Sequence, residues 1–302
     1  MKAVIIQSRE VMAKHARSFR WASWFLPSEC RDDAAVVYAF CRLVDDIADE
    51  TDDTNLARVE LEVIRLELSG VQPARPLVAA FLEVASRTQM NLKYADELIE
   101  GVLSDLGRVK FETDAQLLRY SYRVAGTVGL MMCPIIGVQE GTARAHAIDL
   151  GVAMQLTNIC RDVLEDAQRQ RIYLPVERLN KAGVDVTRLL SELGQGAQVS
   201  MVVRDVLQMA ESYYRSAEDG MRFIPARTRF AILVASRLYR AIGLRLLLKG
   251  ANPMSGRTWI GTPGKLYWVV RALFTFVNRH THMRPHDTRL HRPLAGLPDV
   301  NL

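Results

Sequence analysis

Two aspartates stand four residues apart at the end of an apolar run, in the stretch YAFCRLVDDIADETDD from Tyr38 to Asp53. In a helix, Asp45 and Asp49 would lie one turn apart on the same face, where like charges repel by roughly 0.2–0.5 kcal/mol per pair. A single DxxxD pair is also typical of a solvated helix end, so this stretch alone decides nothing.

The same spacing recurs in LGVAMQLTNICRDVLEDAQRQRIYLP, residues 150–175. Asp162 and Asp166 again end an apolar helical run, and Asn158 lies one turn before Asp162 with Gln155 close to the same face. If the two helices face each other, their oxygen ligands converge into one pocket. Such a pocket selects Mg²⁺ or Mn²⁺ over zinc, because neither Cys nor His stands in either stripe.

The neighbouring acids Asp46 and Glu165 fall off these stripes and are interpreted as supporting or solvated groups. Mg²⁺ seldom takes an all-protein cage and prefers one or two carboxylates, several waters and phosphate oxygens. The two stripes therefore predict a diphosphate ligand, whose charge bound cations would neutralise if it departs as a leaving group.

Basic residues accompany both stripes: Arg42 precedes the first, Arg161 adjoins Asp162, and Arg171 follows the second together with Tyr173. The planar fork of arginine suits bidentate phosphate recognition, which a metal–diphosphate site requires. The alternative for each single arginine is a surface ion pair of little energetic weight. We accept that alternative for Arg169.

Composition places the chain among ordinary globular proteins, since 49% of its 302 residues are hydrophobic and 24% are charged. The net charge of +5 is spread without the clusters of nucleic-acid modules, so no nucleic-acid partner is expected. The mild basic excess suits a phosphorylated ligand or weak attraction to anionic lipid equally well. Four scattered cysteines and no secretory leader predict a cytoplasmic protein with reduced thiols.

Helical periodicity dominates the chain and no series of alternating strand patterns competes with it, so we predict an all-α fold. Gly- and Pro-rich breakers separate the helices, and no linker is longer than a loop. One large helical bundle is expected over residues 1–280. The predicted helical segments are Asp32–Asp49, Leu56–Ser69, Leu77–Gln89, Ala95–Gly107, Asp114–Cys133, Arg144–Gln168, Val202–Phe223, Arg227–Leu248 and Lys265–Asn278.

Residues 281–302 form a tail rich in His, Arg and Pro that lacks apolar periodicity, and a flexible tail is the prediction. His280, His282 and His286 suggest a metal site as the alternative, which we discount. The most apolar window, Val124 to Val138, is shorter than the roughly 20 residues of a spanning helix. No membrane span is expected, and peripheral membrane contact stays open.

Four blocks now stand in order along the chain: HARSFRWASWFLP, YAFCRLVDDIADE, FETDAQLLRYSYRVAGTVG and QLTNICRDVLEDAQRQRIYLP. Together they resemble the squalene and phytoene synthase family, the head-to-head prenyl-diphosphate condensing enzymes. The resemblance is strong from about His15 to Leu174 and continues more weakly to about Arg271. It implies an all-α isoprenoid-synthase fold in which the two acidic motifs face each other across a deep apolar cavity.

The resemblance also implies roles for particular residues. Mg²⁺, with Mn²⁺ as a substitute, would be bound by Asp45, Asp49, Asn158, Asp162 and Asp166. The substrate would be bound by His15, Arg17, Ser18, Phe19, Tyr38, Arg42, Gln155, Asn158, Arg161, Arg171, Tyr173 and Tyr239. The four aspartates with Tyr122, Arg42 and Arg161 would be catalytic, Tyr122 near the reacting carbons. One departure is Ala16, where a relative can carry a hydroxyl.

The implied reaction ionises one allylic diphosphate, joins the cation to a second substrate as a cyclopropylcarbinyl diphosphate, and then ionises and rearranges that intermediate. A dry cavity is needed because water would capture the cations. In VAGTVGLMMC, Gly126 and Gly129 are expected to permit close helix approach, while Met131 and Met132 line the cavity. Ordinary core packing is the alternative for each.

No GxGxxG follows a strand, so NADPH is not expected. The stretch GRTWIGTPGKLYWVVRALF resembles bacterial phytoene synthases, which favours two geranylgeranyl diphosphates and phytoene. Alternatives are condensation of farnesyl diphosphate to presqualene diphosphate, dehydrosqualene or squalene, and a terpene cyclase of the same fold. A non-catalytic assembly-factor relative is the alternative of another class. The oligomeric state stays open.

Overall fold

A computed structural model describes residues 2–15, 17–51, 53–138, 140–186, 196–252, 256–277 and 285–300. The side chains of His15, Arg17 and Ser18 lie outside this description, as does Ala16, so their expected diphosphate contacts stay predictions.

The described residues form thirteen α-helices and one pair of two-residue strands, which confirms the all-α prediction. The helices are α1 Lys2–His15, α2 Arg17–Ser23, α3 Ser28–Glu50, α4 Thr54–Leu68, α5 Pro76–Thr88, α6 Lys93–Leu103, α7 Asp114–Ser121, α8 Thr127–Ile135, α9 Gly141–Gln168, α10 Val176–Lys181, α11 Gly196–Gly220, α12 Ala226–Leu248 and α13 Thr262–Val277. A π-helical turn, Tyr122–Gly126, joins α7 to α8, and 3₁₀ turns cover Met221–Phe223 and Thr288–Leu294.

Each of the nine predicted segments overlaps an α-helix, with two differences in detail. The segment Asp114–Cys133 is divided into α7, the π turn and α8, and the segments Ala95–Gly107 and Val202–Phe223 run a few residues past the ends of α6 and α11. Periodicity gave no sign of α1, α2 and α10. Two of these, α2 and α10, have only seven and six residues, too few for a helical repeat to emerge.

Helices α3 and α9 carry the two acidic stripes, and apolar side chains at helical spacing bury their other faces. Val37, Phe40 and Val44 of α3 are fully buried, as are Val152 and Leu156 of α9. Each such side chain contributes roughly 1.5–3 kcal/mol on burial. The stripes are therefore held on rigid supports.

Two glycines let α8 and its π turn approach the backbone of α9. A Cβ on Gly129 would lie 2.3 Å from the carbonyl oxygen of Ala147, and one on Gly151 would lie 2.2 Å from that of Ala125. Any larger side chain would force the two helices apart. The prediction for Gly129 is confirmed, whereas the matching role of Gly151 was not anticipated.

A short parallel strand pair fixes the segment that follows α9. Strand β1, Val109–Lys110, pairs with β2, Arg171–Ile172, and the Phe111 amide extends the pairing by donating to the Ile172 carbonyl at 3.2 Å. This pairing brings the segment after the second acidic stripe beside the loop that follows α6.

The C-terminal residues 285–300 pack on the bundle, which corrects the prediction of a flexible tail for this part of the chain. His291 and Leu294 are fully buried. Nε2 of His286 lies 2.8 Å and Nε2 of His291 lies 2.9 Å from the Asp149 carboxylate of α9. The prediction failed because these polar side chains find their partner 137 or more residues away. His280 and His282 lie outside the described residues.

None of the described helices combines the length and apolar character that crossing a membrane requires.

Candidate active site

A largely apolar cavity of about 340 Å³ lies between α2, α3, α8, α9 and α12. Its walls are mainly aliphatic, aromatic and sulfur-containing side chains, with a few polar groups among them. The apolar walls include Leu26, Val37, Cys41, Val128, Met132, Leu150, Met154, Ile232 and Ala235. Met132 therefore lines the cavity as expected, but Met131 is fully buried and is not among the lining residues.

The polar lining residues that belong to the acidic motifs are Asp45, Gln155 and Asn158. Phe19, Tyr38 and Tyr239 line the same cavity, and the ring centroids of Phe19 and Tyr239 are 5.0 Å apart. The structure thus brings together six of the residues implied by the motifs.

A second, charged pocket of about 160 Å³ adjoins the cavity and shares Asp45, Val124 and Gln155 with it. Its other lining residues come from α3, from α6 and the loop after it, from α7, and from β2 with the residue that follows it. They are Arg42, Ala48, Asp49, Val102, Asp105, Tyr120, Arg171 and Tyr173. A polar chamber and an apolar chamber are therefore joined through three shared side chains.

Arginines that follow the second stripe reach the first stripe. Arg171 Nη1 lies 2.7 Å from Asp49 Oδ1, and Arg169 Nη1 lies 3.2 Å from Asp49 Oδ2. Arg169 is therefore an ion-pair residue, as expected, but its partner lies on the opposite acidic helix. The pairing confirms that the two motifs meet in space.

Asp162 is held by two arginines, one from its own helix and one from a distant loop. Arg161 forms a bidentate ion pair with it, with Nε 2.7 Å from Oδ1. Nε of Arg257 lies 3.2 Å from the same oxygen, and its Nη1 lies 3.5 Å from Glu165. Sequence reasoning missed Arg257, which stands in a glycine-flanked loop without a helical register to link it to α9.

Arg42 pairs with Asp46, one turn along α3. Asp46 is therefore a partner of a pocket arginine, consistent with its interpretation as a supporting group.

Partly buried carboxylates crowd the site, and the pKa values of two of them are raised. Burial raises the pKa of Asp45 to about 7, with Asp49, Asp105 and Asp46 adding to the shift and Arg42 opposing it. Burial and the Asp162 charge raise the pKa of Asp166 to about 7, although Arg171 opposes the shift. The site therefore holds more negative charge than its arginines compensate.

Asn158 supplies an independent sign of a missing partner. Its Nδ2 donates to Gln155 Oε1 at 3.3 Å, while its Oδ1 is buried and accepts no hydrogen bond from the described residues. A buried acceptor without a donor costs about 1–3 kcal/mol. Uncompensated carboxylates beside an unpartnered amide oxygen fit a hard divalent cation.

Tyr122 does not lie where the motif resemblance implied. It is fully buried outside both chambers, and its hydroxyl donates to the Pro298 carbonyl at 2.6 Å. Tyr120 lines the charged pocket instead. Two residues turn a helix by about 200°, so the two tyrosines of YSY face opposite sides.

Asp105 is a further site residue that sequence reasoning missed. Its carboxylate accepts hydrogen bonds from the hydroxyls of Tyr120 and Tyr173, the latter at 2.8 Å. Burial raises the pKa of Asp105 to about 6, and these hydrogen bonds partly offset the effect. The acid in LSDLG follows no repeated spacing, so nothing in the sequence distinguished it from a loop residue.

Asp149, His286 and His291 form a separate cluster whose ligand atoms lie within 4.8 Å of one another. Asp149 precedes Asp162 by thirteen residues of α9, about 20 Å along the helix. Hydrogen bonds from both histidines outweigh burial and hold the pKa of Asp149 below its usual value. The cluster anchors the C-terminal segment and lies apart from the charged pocket.

Comparison with known proteins finds one matching family, squalene/phytoene synthase, over residues 12–262. The chain is 37% identical to the 15-cis-phytoene synthase of Enterobacter agglomerans, covering 85% of this chain and 90% of that protein. It is 34% identical to the 15-cis-phytoene synthase of Pantoea ananas, covering 93% and 94%. A solved dehydrosqualene synthase in complex with ligand superposes with a TM-score of 0.84 at 27% identity, covering 92% of this chain and 98% of that one.

Proposed function

This chain belongs to the squalene/phytoene synthase family, and we propose that it condenses two geranylgeranyl diphosphates head to head, forming phytoene through a cyclopropylcarbinyl diphosphate. The chain is a prenyltransferase of isoprenoid and carotenoid biosynthesis. Its substrates carry a diphosphate on a long apolar chain, and the site must accommodate both parts.

The main support for this proposal is that the charged pocket and the apolar cavity adjoin each other. The charged pocket offers Arg42 and Arg171 to a diphosphate, and the adjoining cavity offers apolar walls to a prenyl chain. Asp45 and Gln155 stand where the chambers join, and the carbon that bears the diphosphate would lie there. A protein that binds only a phosphate or only a lipid chain would need one chamber alone.

We propose that Mg²⁺ binds at the acidic stripes, with Asp45, Asp49, Asn158, Asp162 and Asp166 as the ligands. When bound, the cation would neutralise the diphosphate and stabilise it as a leaving group. The crowding of partly buried carboxylates and the unpartnered Asn158 Oδ1 support this assignment. Activity should stop when EDTA is added and return when Mg²⁺ is restored in excess.

The arginines of the site orient the diphosphate. Arg171 pairs with Asp49 of the first stripe, and Arg257 pairs with Asp162 of the second. Each guanidinium could bind phosphate oxygens of the substrate in place of its carboxylate. Guanidinium groups bind both kinds of oxygen with the same bidentate geometry. Arg161 lies beside Asp162 on α9, and its bidentate pair fixes the position of that aspartate.

The cavity walls protect the carbocations. Val128, Leu150 and Ile232 present no nucleophile and exclude water, which would otherwise capture the cation as an alcohol. The aromatic faces of Phe19 and Tyr239 stabilise positive charge that develops nearby.

Similarity favours the twenty-carbon substrate. Relatives named phytoene synthase reach 37% identity, against 27% for the dehydrosqualene synthase structure. The test is a direct competition between geranylgeranyl and farnesyl diphosphate, with and without NADPH. A higher kcat/KM for geranylgeranyl diphosphate and no effect of NADPH are expected. Preference for farnesyl diphosphate would move the chain to the squalene branch.

A further inference from the structure

Helix α13 exposes an apolar stripe that the bundle does not use. Leu266, Val270, Leu273, Phe274 and Val277 recur at helical spacing, and between 43% and 72% of each side chain is exposed. Their neighbour Tyr267 is 56% exposed. Ala272 is the one fully buried residue of this helix within the described chain.

The stripe continues onto neighbouring elements. Phe276 of α13 contacts Phe230 of α12 with ring centroids 5.7 Å apart, and Phe230 contacts Phe25 at 4.8 Å. Trp24 and Trp259 line one surface groove beside this chain of rings and are 52% and 68% exposed. We call this surface, formed by the end of α2, the loop before α13 and α13 itself, the aromatic face.

The aromatic face adjoins the wall of the apolar cavity. Ala22, Ser23 and Leu26, which flank Trp24 and Phe25 in the chain, line that cavity. Ile232, two residues after Phe230, lines it as well. The end of α2 and the first part of α12 therefore contribute residues both to this surface and to the chamber assigned to the prenyl chains.

Basic side chains flank the aromatic face. The surface groove that Trp24 and Trp259 line also contains Lys14, Arg20 and Lys265, and its lining residues include no Asp or Glu. Arg271 stands on α13 itself. Exposed apolar and aromatic side chains flanked by basic groups are typical of helices that lie in the interface of an anionic bilayer.

We propose that the aromatic face docks the protein on an anionic lipid surface, with α13 lying in the membrane interface. This inference concerns the partner of the proposed function, since a forty-carbon hydrocarbon has no polar group and must leave the cavity for an apolar phase. In an anionic bilayer the acyl chains would contact the apolar stripe, and the headgroups would attract the basic residues around it.

A second copy of the chain fits the face less well. A two-fold interface would place the same patch against itself and so bring like basic charges together. An anionic lipid surface meets those charges with opposite ones.

The test is sedimentation of the purified protein with vesicles, without substrate. Vesicles of phosphatidylcholine and phosphatidylglycerol in roughly equal parts should bind the protein, and pure phosphatidylcholine vesicles should bind it more weakly. The double substitution Leu273→Glu and Phe274→Glu should reduce partitioning by about tenfold or more. The matched control is Leu56→Glu with Val59→Glu on α4, at side chains that are 60% and 59% exposed.

Arg271→Glu provides a second variant if the double substitution disturbs folding, and it should weaken binding to anionic vesicles selectively. Equal binding of all variants, or no binding of the original protein, would overturn the proposal. So would a dimer in light scattering that the double variant converts to a monomer. Turnover of soluble substrate in detergent micelles is measured separately, so failure of the proposed reaction would not be confused with failure of docking.

Discussion

Nη1 of Arg171 lies 2.7 Å from Oδ1 of Asp49, although 122 residues separate them in the chain. This ion pair joins the segment after the second acidic helix to the end of the first. The parallel strand pair at Arg171 holds the arginine in place. The two segments are consequently fixed beside each other at the charged pocket, which Asp49 and Arg171 both line.

Asp45→Asn should reduce turnover by about a thousandfold, because one metal ligand and its charge are lost while the shape is kept. Thermal stability of the metal-free variant should be unchanged or higher, since repulsion among the buried carboxylates is relieved. Steady-state kinetics and a thermal melt measure the two effects. Glu62→Gln on the exposed face of α4 is the control, and full activity of Asp45→Asn would refute the metal assignment.

Stability without metal should depend on pH through Asp45 and Asp166. Their pKa values are about 7 in the folded chain and 3.8 in the reference state, so between these values the folded chain binds more protons. Their contribution to folding stability is therefore fully present at low pH and is lost as pH rises towards about 7.

The difference in Tm between Asp45→Asn and the original protein should grow in favour of the variant from about pH 5 to about pH 8 in EDTA. Mg²⁺ should abolish that advantage by stabilising the original protein. A difference in Tm that is constant with pH would show that Asp45 titrates normally.

Tyr120→Phe should lower kcat, whereas Tyr122→Phe should lower folding stability. Tyr120 lines the charged pocket and bonds to Asp105, so its loss should lower kcat by about tenfold or more. Tyr122 bonds to Pro298, so its loss should cost about 1 kcal/mol of stability and leave kcat unchanged. Steady-state kinetics and denaturant unfolding of both variants measure these effects. A loss of kcat in Tyr122→Phe but not in Tyr120→Phe would support the original assignment of Tyr122 to the reaction.

His291→Phe should destabilise the protein by about 3–5 kcal/mol, because it removes one of the hydrogen bonds that hold the fully buried Asp149 carboxylate. Arg289→Ala, which removes an exposed ion pair with Asp287, should change stability by less than about 1 kcal/mol. Denaturant unfolding compares the two. Equal stability of both variants would mean that the C-terminal segment contributes little to the fold.

Local spacing made much of the site predictable. Helical periodicity located the supports, and the repeated DxxxD spacing selected Asp45, Asp49, Asp162 and Asp166 as candidates, because one turn of helix places such residues on one face. Asp45 and Asp49 line the charged pocket, whereas Asp162 and Asp166 line neither chamber and stay predicted ligands. The stripe through Asn158 followed from the same geometry.

Features that depend on tertiary contacts escaped prediction. Asp105 and Arg257 stand in loops, where no periodicity relates them to the stripes. The C-terminal segment looked polar because His286 and His291 meet Asp149 only in the folded chain. Tyr120 lines the charged pocket, where the motif had suggested Tyr122. A sequence motif therefore predicts the position of a helix more accurately than the direction of one of its side chains.

The central claim is tested most directly by incubating the purified protein with Mg²⁺ and geranylgeranyl diphosphate, extracting the mixture into organic solvent and determining the product mass. We predict a forty-carbon hydrocarbon with the mass of phytoene, formed without NADPH and absent when Asp45→Asn is used. Unreacted diphosphate, with helicity intact and the aspartates in place, would contradict the assignment of this chain as a phytoene-forming enzyme.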